Sequence, residues 1–133
     1  MEILGIEFSS QNMNYVGISD DGEGYAVVTS SRMILGHTHD RDSLVAFQDA
    51  VKTLLNDFAP DFIAIKEKPE SGKMQAGAAS LKMEGIVLAN APCPVEFVSG
   101  RKINMIEEED PALYNYLQPA LKSALVVRNI KVG

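Results

Sequence analysis

The chain has 133 residues, 46% of them apolar and 23% charged, with a net charge of −6. That length suits one domain with its own core, and no run of about eighteen apolar residues is present to span a bilayer. The negative balance argues against a non-specific nucleic-acid coat, which depends on many Lys and Arg contacts to phosphate, yet it leaves room for an acidic active site with a local basic rim. The start, Met1-Glu2, leads into a short apolar run ending at Glu7 and does not read as a signal peptide. Cys93, the only cysteine, lies between Pro92 and Pro94, so neither an internal disulfide nor a cysteine-built zinc site is available. The expectation is a single cytoplasmic domain over residues 1–133 with no membrane partner.

In chain order, Ile3-Leu4-Gly5-Ile6 is a short apolar run of the kind buried on both faces of a sheet. Tyr15-Val16-Gly17-Ile18 and Tyr25-Ala26-Val27-Val28 follow, with Asp20-Asp21-Gly22 as the hairpin turn between them, which predicts three antiparallel strands. Leu44, Phe47, Val51, Leu54, Leu55 and Phe58 recur at three- and four-residue steps and predict a helix, capped by Asp40 or Asp42 and stopped by Pro60. Phe62-Ile63-Ala64-Ile65 predicts a second central strand, and a loop with Pro69 and Gly72 leads to a small-residue helix from about Ala76 to Asn90. Val95-Glu96-Phe97-Val98 is the last strand, and Ser99 caps a short helix carrying Arg101 and Lys102. The acidic run Glu107 to Asp110, with Pro111 after it, marks a new helix start. That final helix holds Leu113, Tyr116, Leu117, Leu121 and Leu125, with a kink at Pro119. The order β-β-β-α-β-α-β-α calls for an α/β fold: a mixed five-stranded sheet, parallel in its second half, with helices on its faces.

Two acids draw attention by position. Glu7 and Glu67 each come directly after a central apolar run, and ligands of open α/β sheets bind beyond the carboxyl ends of strands. If those strands are parallel neighbours, the two carboxylates share one crevice, where they repel unless a cation or proton lies between them. Hard oxygen donors of that kind suit Mg²⁺ or Mn²⁺, and paired ions of that kind clamp the oxygens of a phosphodiester in hydrolysis. A charged residue marking only the strand's exit into water is the competing reading. Lys66, Lys68, Lys73 and Lys82 outnumber Glu67 and Glu70 over residues 66–82 and form a candidate basic rim for DNA or RNA.

The pattern Ile3-Leu4-Gly5-Ile6-Glu7, a hairpin, a helix and then Ile63-Ala64-Ile65-Lys66-Glu67-Lys68 resembles the ribonuclease H-like superfamily, most closely its RuvC-type Holliday-junction resolvases. Gly77-Ala78-Ala79-Ser80-Leu81-Lys82-Met83-Glu84-Gly85 is similar to the small-residue helix of those proteins, and closer still to a family of small uncharacterised bacterial proteins assigned this fold. The resemblance covers roughly residues 1–105. It implies a metal-dependent nuclease in which Glu7 takes the first-strand Asp position and Glu67 the fourth-strand Glu position, both holding Mg²⁺ or Mn²⁺. Lys68, Lys73 and Lys82 would contact nucleic acid. The family pattern also needs an acid from the last helix, but residues 112–133 contain neither Asp nor Glu. Asp110, just before that helix, is the remaining candidate for the third catalytic acid.

Other motifs carry less. His37-Thr38-His39-Asp40 holds both histidines of the chain, too few for a zinc hydrolase site, and Ser71-Gly72-Lys73 lacks the first glycine and the final Ser or Thr of a phosphate loop. Two functions therefore compete: a nuclease with an incomplete acidic site, and a ribonuclease H-like binding or interaction module without the chemistry. In the second, an exposed face of the final helix with Tyr114, Tyr116 and Val126-Val127 would meet a partner or a second copy in a homodimer. Nucleotide binding of the sugar-kinase type lacks the Gly-rich phosphate turns and the second domain.

Overall fold

The computed structural model describes residues 1–68 and 77–132. Its first three strands form the expected antiparallel meander: β1 (Glu2–Ser9), β2 (Asn12–Asp20) and β3 (Tyr25–Ile34). The turn between β2 and β3 is closed by its own carboxylates. Asp20 accepts from the Gly22 N–H at 2.7 Å, Asp21 accepts from Glu23 and Gly24, and Gly22 supplies a positive φ of 93°. Helix α1 (Arg41–Phe58) has Asp40 at its N-cap position, with the Asp40 carboxylate accepting from the Ser43 hydroxyl at 3.0 Å. It ends where Ala59 turns left-handed, before Pro60. Strand β4 (Phe62–Lys66), helix α2 (Ala78–Asn90), strand β5 (Val95–Val98) and the short helix α3 (Gly100–Asn104) follow. The Ser99 hydroxyl caps α3 by accepting from the Lys102 N–H. The expected loop at Pro69 and Gly72, and the expected helix start at Ala76, lie outside the described residues.

The sheet order is β3-β2-β1-β4-β5, antiparallel in the meander and parallel from β1 to β4 to β5. Strand alternation then sorts the core into two layers. Leu4, Ile6 and Phe8 of β1, with Ile63 and Ile65 of β4, pack against Phe47, Val51 and Leu55 of α1 and Met83 and Val87 of α2. On the other face Ile3, Val16, Ile18 and Ala64 meet Leu121, Ala124 and Leu125 of helix α4 (Gln118–Val132). Each buried Leu, Ile, Val, Phe or Met among these contributes roughly 1.5–3 kcal/mol by leaving water. Gly5 faces α4, and a Cβ there would lie 2.0 Å from the Ala120 carbonyl oxygen. The missing side chain lets the first turns of α4 rest directly on β1. Arg128 of α4 donates to the buried Asp20 carboxylate. That guanidinium, followed by the Gly22 N–H, holds the Asp20 carboxyl below the usual aspartate range.

Four expectations need correction. Glu7 does not follow β1 but lies within it, because the antiparallel partner β2 carries the strand on to Ser9 after the ladder with β4 ends at Ile6 and Ile65. No helix starts at Pro111; Asn115–Leu117 form a single 3-10 turn. Pro119 kinks nothing, since α4 starts at Gln118 and proline's fixed φ fits a first turn, where its missing N–H costs no bond. Val126 and Val127 are not exposed on the final helix but buried in the core.

Candidate nucleic-acid interface

Beyond the last layer of apolar side chains on the α4 face, four polar residues stand side by side across four strands. Glu7 is paired with Asn14 and Asn14 with Arg32, while the Ile6–Ile65 register puts Lys66 next to Glu7. Glu7 follows Gly5 and Lys66 follows Ala64 by two residues, so both side chains point to the α4 face, as Ile3 and Ala64 do. The row is bonded end to end. The Lys66 ammonium donates to Glu7 Oε2 at 3.2 Å, the Asn14 amide donates a long bond to Glu7 Oε1 at 3.5 Å, and Arg32 Nε donates to Asn14 Oδ1 at 2.9 Å. Asn14 is buried, so its amide is fixed by these two neighbours. The Glu7 side chain retains 14% of its exposure and that of Lys66 31%, which places the pair at the boundary between core and solvent.

The segment before α4 roofs the row. Gln118, itself buried, accepts from the Asp110 N–H at 3.2 Å and donates to the carbonyls of Asp110 and Leu113, latching residues 110–118 into one shape. Tyr116 lies against Arg32, whose guanidinium carbon is 3.9 Å from the ring centroid. Between this roof and β4 opens a cleft of about 260 Å³ lined by Lys66, Asn104, Glu109, Asn115, Gln118 and Lys122. Within it the Lys122 ammonium donates to Glu109 at 3.1 Å.

The expected metal ligands do not converge. Glu7 is engaged by Lys66. Glu67, one residue past β4, is exposed, its N–H donating to the Val98 carbonyl at 2.8 Å. The Asp110 carboxylate accepts from the Ala112 N–H at 2.9 Å, closing the turn that precedes Leu113. Among the described residues no three His, Cys, Asp or Glu side chains gather to hold a metal ion. As the described side chains stand, they do not offer the several oxygens around one point that Mg²⁺ or Mn²⁺ wants; an ammonium stands beside Glu7, and a second, from Lys122, comes from the last helix.

The candidate nucleic-acid contacts are scattered too. Lys68 is half-buried just past Glu67, Lys73 lies outside the described residues, and Lys82 donates to the Thr38 carbonyl at 2.6 Å on the opposite, α1–α2 side of the sheet. Asn14, Arg32 and Lys122 escape a reading based on strand-end acids, whereas Lys66 belongs to the expected basic rim. Their available signal is polarity at strand positions in step with Glu7, and a lysine one turn into a helix whose neighbouring Ala120, Leu121, Ala124 and Leu125 are buried. Burial pushes the Cys93 thiol above its usual range, in keeping with a packing residue at the entrance to β5.

Residues 1–125 match the family described as "Protein of unknown function (DUF3010)". No curated protein matches the chain by sequence. The fold is that of the ribonuclease H-like resolvases. Thermus thermophilus RuvC superposes with a TM-score of 0.79 at 14% identity, over 99% of this chain and 98% of its own. The same protein in complex with a Holliday junction substrate gives 0.75 at 15% identity, over 100% and 97%. The fowlpox virus resolvase, in complex with substrate Holliday junction DNA, gives 0.61 at 12% identity over 100% of both chains. No helix among the described residues is long and apolar enough to cross a membrane.

Proposed function

The chain belongs to the family described as protein of unknown function DUF3010, and from that footing we propose that it is a ribonuclease H-like module that binds nucleic acid without cleaving it. The observation that carries this reading is the Lys66 ammonium 3.2 Å from Glu7. Phosphodiester hydrolysis on two metal ions needs carboxylates whose charge is left for the ions to neutralise. Here the neutralising cation is tethered to β4, and it takes the space beside Glu7. The row and cleft carry three cations, Arg32, Lys66 and Lys122, against two carboxylates, Glu7 and Glu109, and with Lys68 next along the chain this small positive excess suits phosphate oxygens. Two proteins of this fold are described in complex with Holliday junction DNA, which supports branched DNA as the first ligand to try.

A metal-dependent nuclease has one observation in its favour: Glu67 is exposed directly after β4, at the end of the parallel ladder that also ends beside Glu7. In that reading Lys66 leaves Glu7, Glu7 and Glu67 share the ion, and Asp110 gives up the Ala112 N–H. Fluorescence anisotropy with four-way junction, duplex and single-stranded DNA in EDTA, beside a cleavage assay in Mn²⁺ and Mn²⁺ calorimetry, separates the two. Binding in EDTA that weakens in Lys66→Met and Lys122→Met, with no cleavage and no Mn²⁺ heat, is the expected result. Mn²⁺-dependent cleavage lost in Glu7→Gln and Glu67→Gln would overturn it in favour of the nuclease. Absence of binding to all three DNAs would overturn a nucleic-acid role.

A further inference from the structure

The most exposed large aromatic side chain of the chain is Tyr114, at 71%, and it is not isolated. Its ring stacks on that of Tyr116 with centroids 5.5 Å apart and planes 9° from parallel, and Tyr116 in turn meets the Arg32 guanidinium. Two stacked rings facing solvent form a small apolar patch whose outer face is free to be covered by a ligand. The Gln118 latch, the Asp110 carboxylate on the Ala112 N–H, and the Leu117 N–H on the Tyr114 carbonyl hold this segment in one conformation. The result is a stack, Arg32–Tyr116–Tyr114, whose outermost ring is open to solvent.

We infer that Tyr114 is a stacking platform for an unpaired nucleobase, and that the adjoining phosphate enters the cleft of Lys66 and Lys122. This deepens the nucleic-acid reading above and rests on it. Three observations favour this occupant. The flat ring pair suits the face of a base, and stacking of bases on aromatic side chains is the sequence-tolerant contact of single-strand binding. Arg32 at the inner end polarises the stack through its cation–π contact. Asn115, between the two tyrosines in sequence, lines the same cleft as Lys66 and Lys122, so base and phosphate subsites adjoin. Glu109, which holds Lys122 and is 59% exposed, is the group an incoming phosphate displaces.

The test uses the full chain and two labelled oligonucleotides of equal length, one of thymidines and one with every base removed. Wild type should bind the thymidine strand more tightly than the abasic one. Tyr114→Ala should weaken thymidine binding roughly tenfold, the scale of one base–aromatic stack, and leave abasic binding unchanged. Tyr114→Phe should restore the wild-type value, because the ring and not the hydroxyl makes the contact. Lys122→Met should weaken both strands alike. Equal losses on both strands in Tyr114→Ala, or none on either while Lys122→Met still weakens them, would overturn the platform and leave nucleic-acid binding standing. A wild type that binds neither strand overturns the platform, and the nucleic-acid reading falls with it only where four-way junction and duplex DNA are not bound either.

Discussion

Replacing Gly5 with alanine tests how closely the last helix sits on the sheet. The new Cβ would lie 2.0 Å from the Ala120 carbonyl oxygen, 3.0 Å from its carbon and 3.0 Å from Ala124 Cβ, where ordinary contact begins at 3.4 Å. The nearest atom belongs to backbone and cannot rotate away, so α4 must withdraw by about 1.4 Å, the difference between 3.4 and 2.0 Å. Overpacking of a well-filled core costs about 1–3 kcal/mol, and a backbone obstacle puts Gly5→Ala at the upper end, near 3 kcal/mol. For a chain of this size about 4 °C of Tm accompanies each kcal/mol, so a fall of about 12 °C is expected by calorimetry or circular dichroism. Gly85→Ala is the control: it is exposed within α2, and a Cβ there meets nothing within 4 Å. Helix propensity alone should stabilise that variant by about 0.5–1 kcal/mol. A Gly5→Ala protein melting within about 2 °C of wild type would refute the seating of α4 on β1 and, with it, the roof over the polar row.

Two further outcomes follow from the charged pairs. Lys66→Met leaves the largely covered Glu7 carboxylate without its ion partner, and with side-chain exposures of 31% and 14% the cost falls between surface and buried pairs, about 1–2 kcal/mol. Urea denaturation should show this, and Lys66→Met/Glu7→Gln should regain most of the loss; a double variant as unstable as the single one would mean that Lys66 acts through packing. Asp20 titrates in the folded state below its ordinary value of 3.8, first because of Arg128 and then because of the Gly22 N–H. A depressed folded value means that its contribution is full above pH 3.8 and fades as pH falls through the folded value. Asp20→Asn should therefore melt lower than wild type at pH 7, with the gap closing in acid; a gap that stays constant throughout the acid titration would show that charge has no part in it.

The meander, the parallel half and the element order were legible because each rests on local signals: Asp-Asp-Gly at the turn, three- and four-residue periodicity in α1, and two short apolar runs for β1 and β4. The site was legible only in part. The apolar run stops at Ile6, which suggests a strand end there, but β2 goes on pairing to Asn12 and keeps Glu7 in the sheet. Once Glu7 is an inner position, what matters is which β4 residue shares its face, and that is set by a register no local pattern displays. The register brings up Lys66 and sets the expected acid, Glu67, one residue on. The start of α4 was misread for a related reason. Pro119 looks like an interruption when Leu113 and Leu117 are counted into one helical stripe, whereas Leu117 reaches the same core from a 3-10 turn. Arg32 and Tyr116 are 84 positions apart in sequence, and only the folded chain makes them neighbours.

The row across the sheet also sets a mutational distance. Asn14 becomes Asp, and Lys66 becomes Glu, by one base change each in any of their codons. Together with Glu7 these two changes would line up three carboxylates on adjacent strands, on one face, with the Arg32 fork at the end. Like charges so close repel until a cation sits among them. Two point mutations thus lie between a sheet that carries its own counter-ion and one that must borrow it from solution.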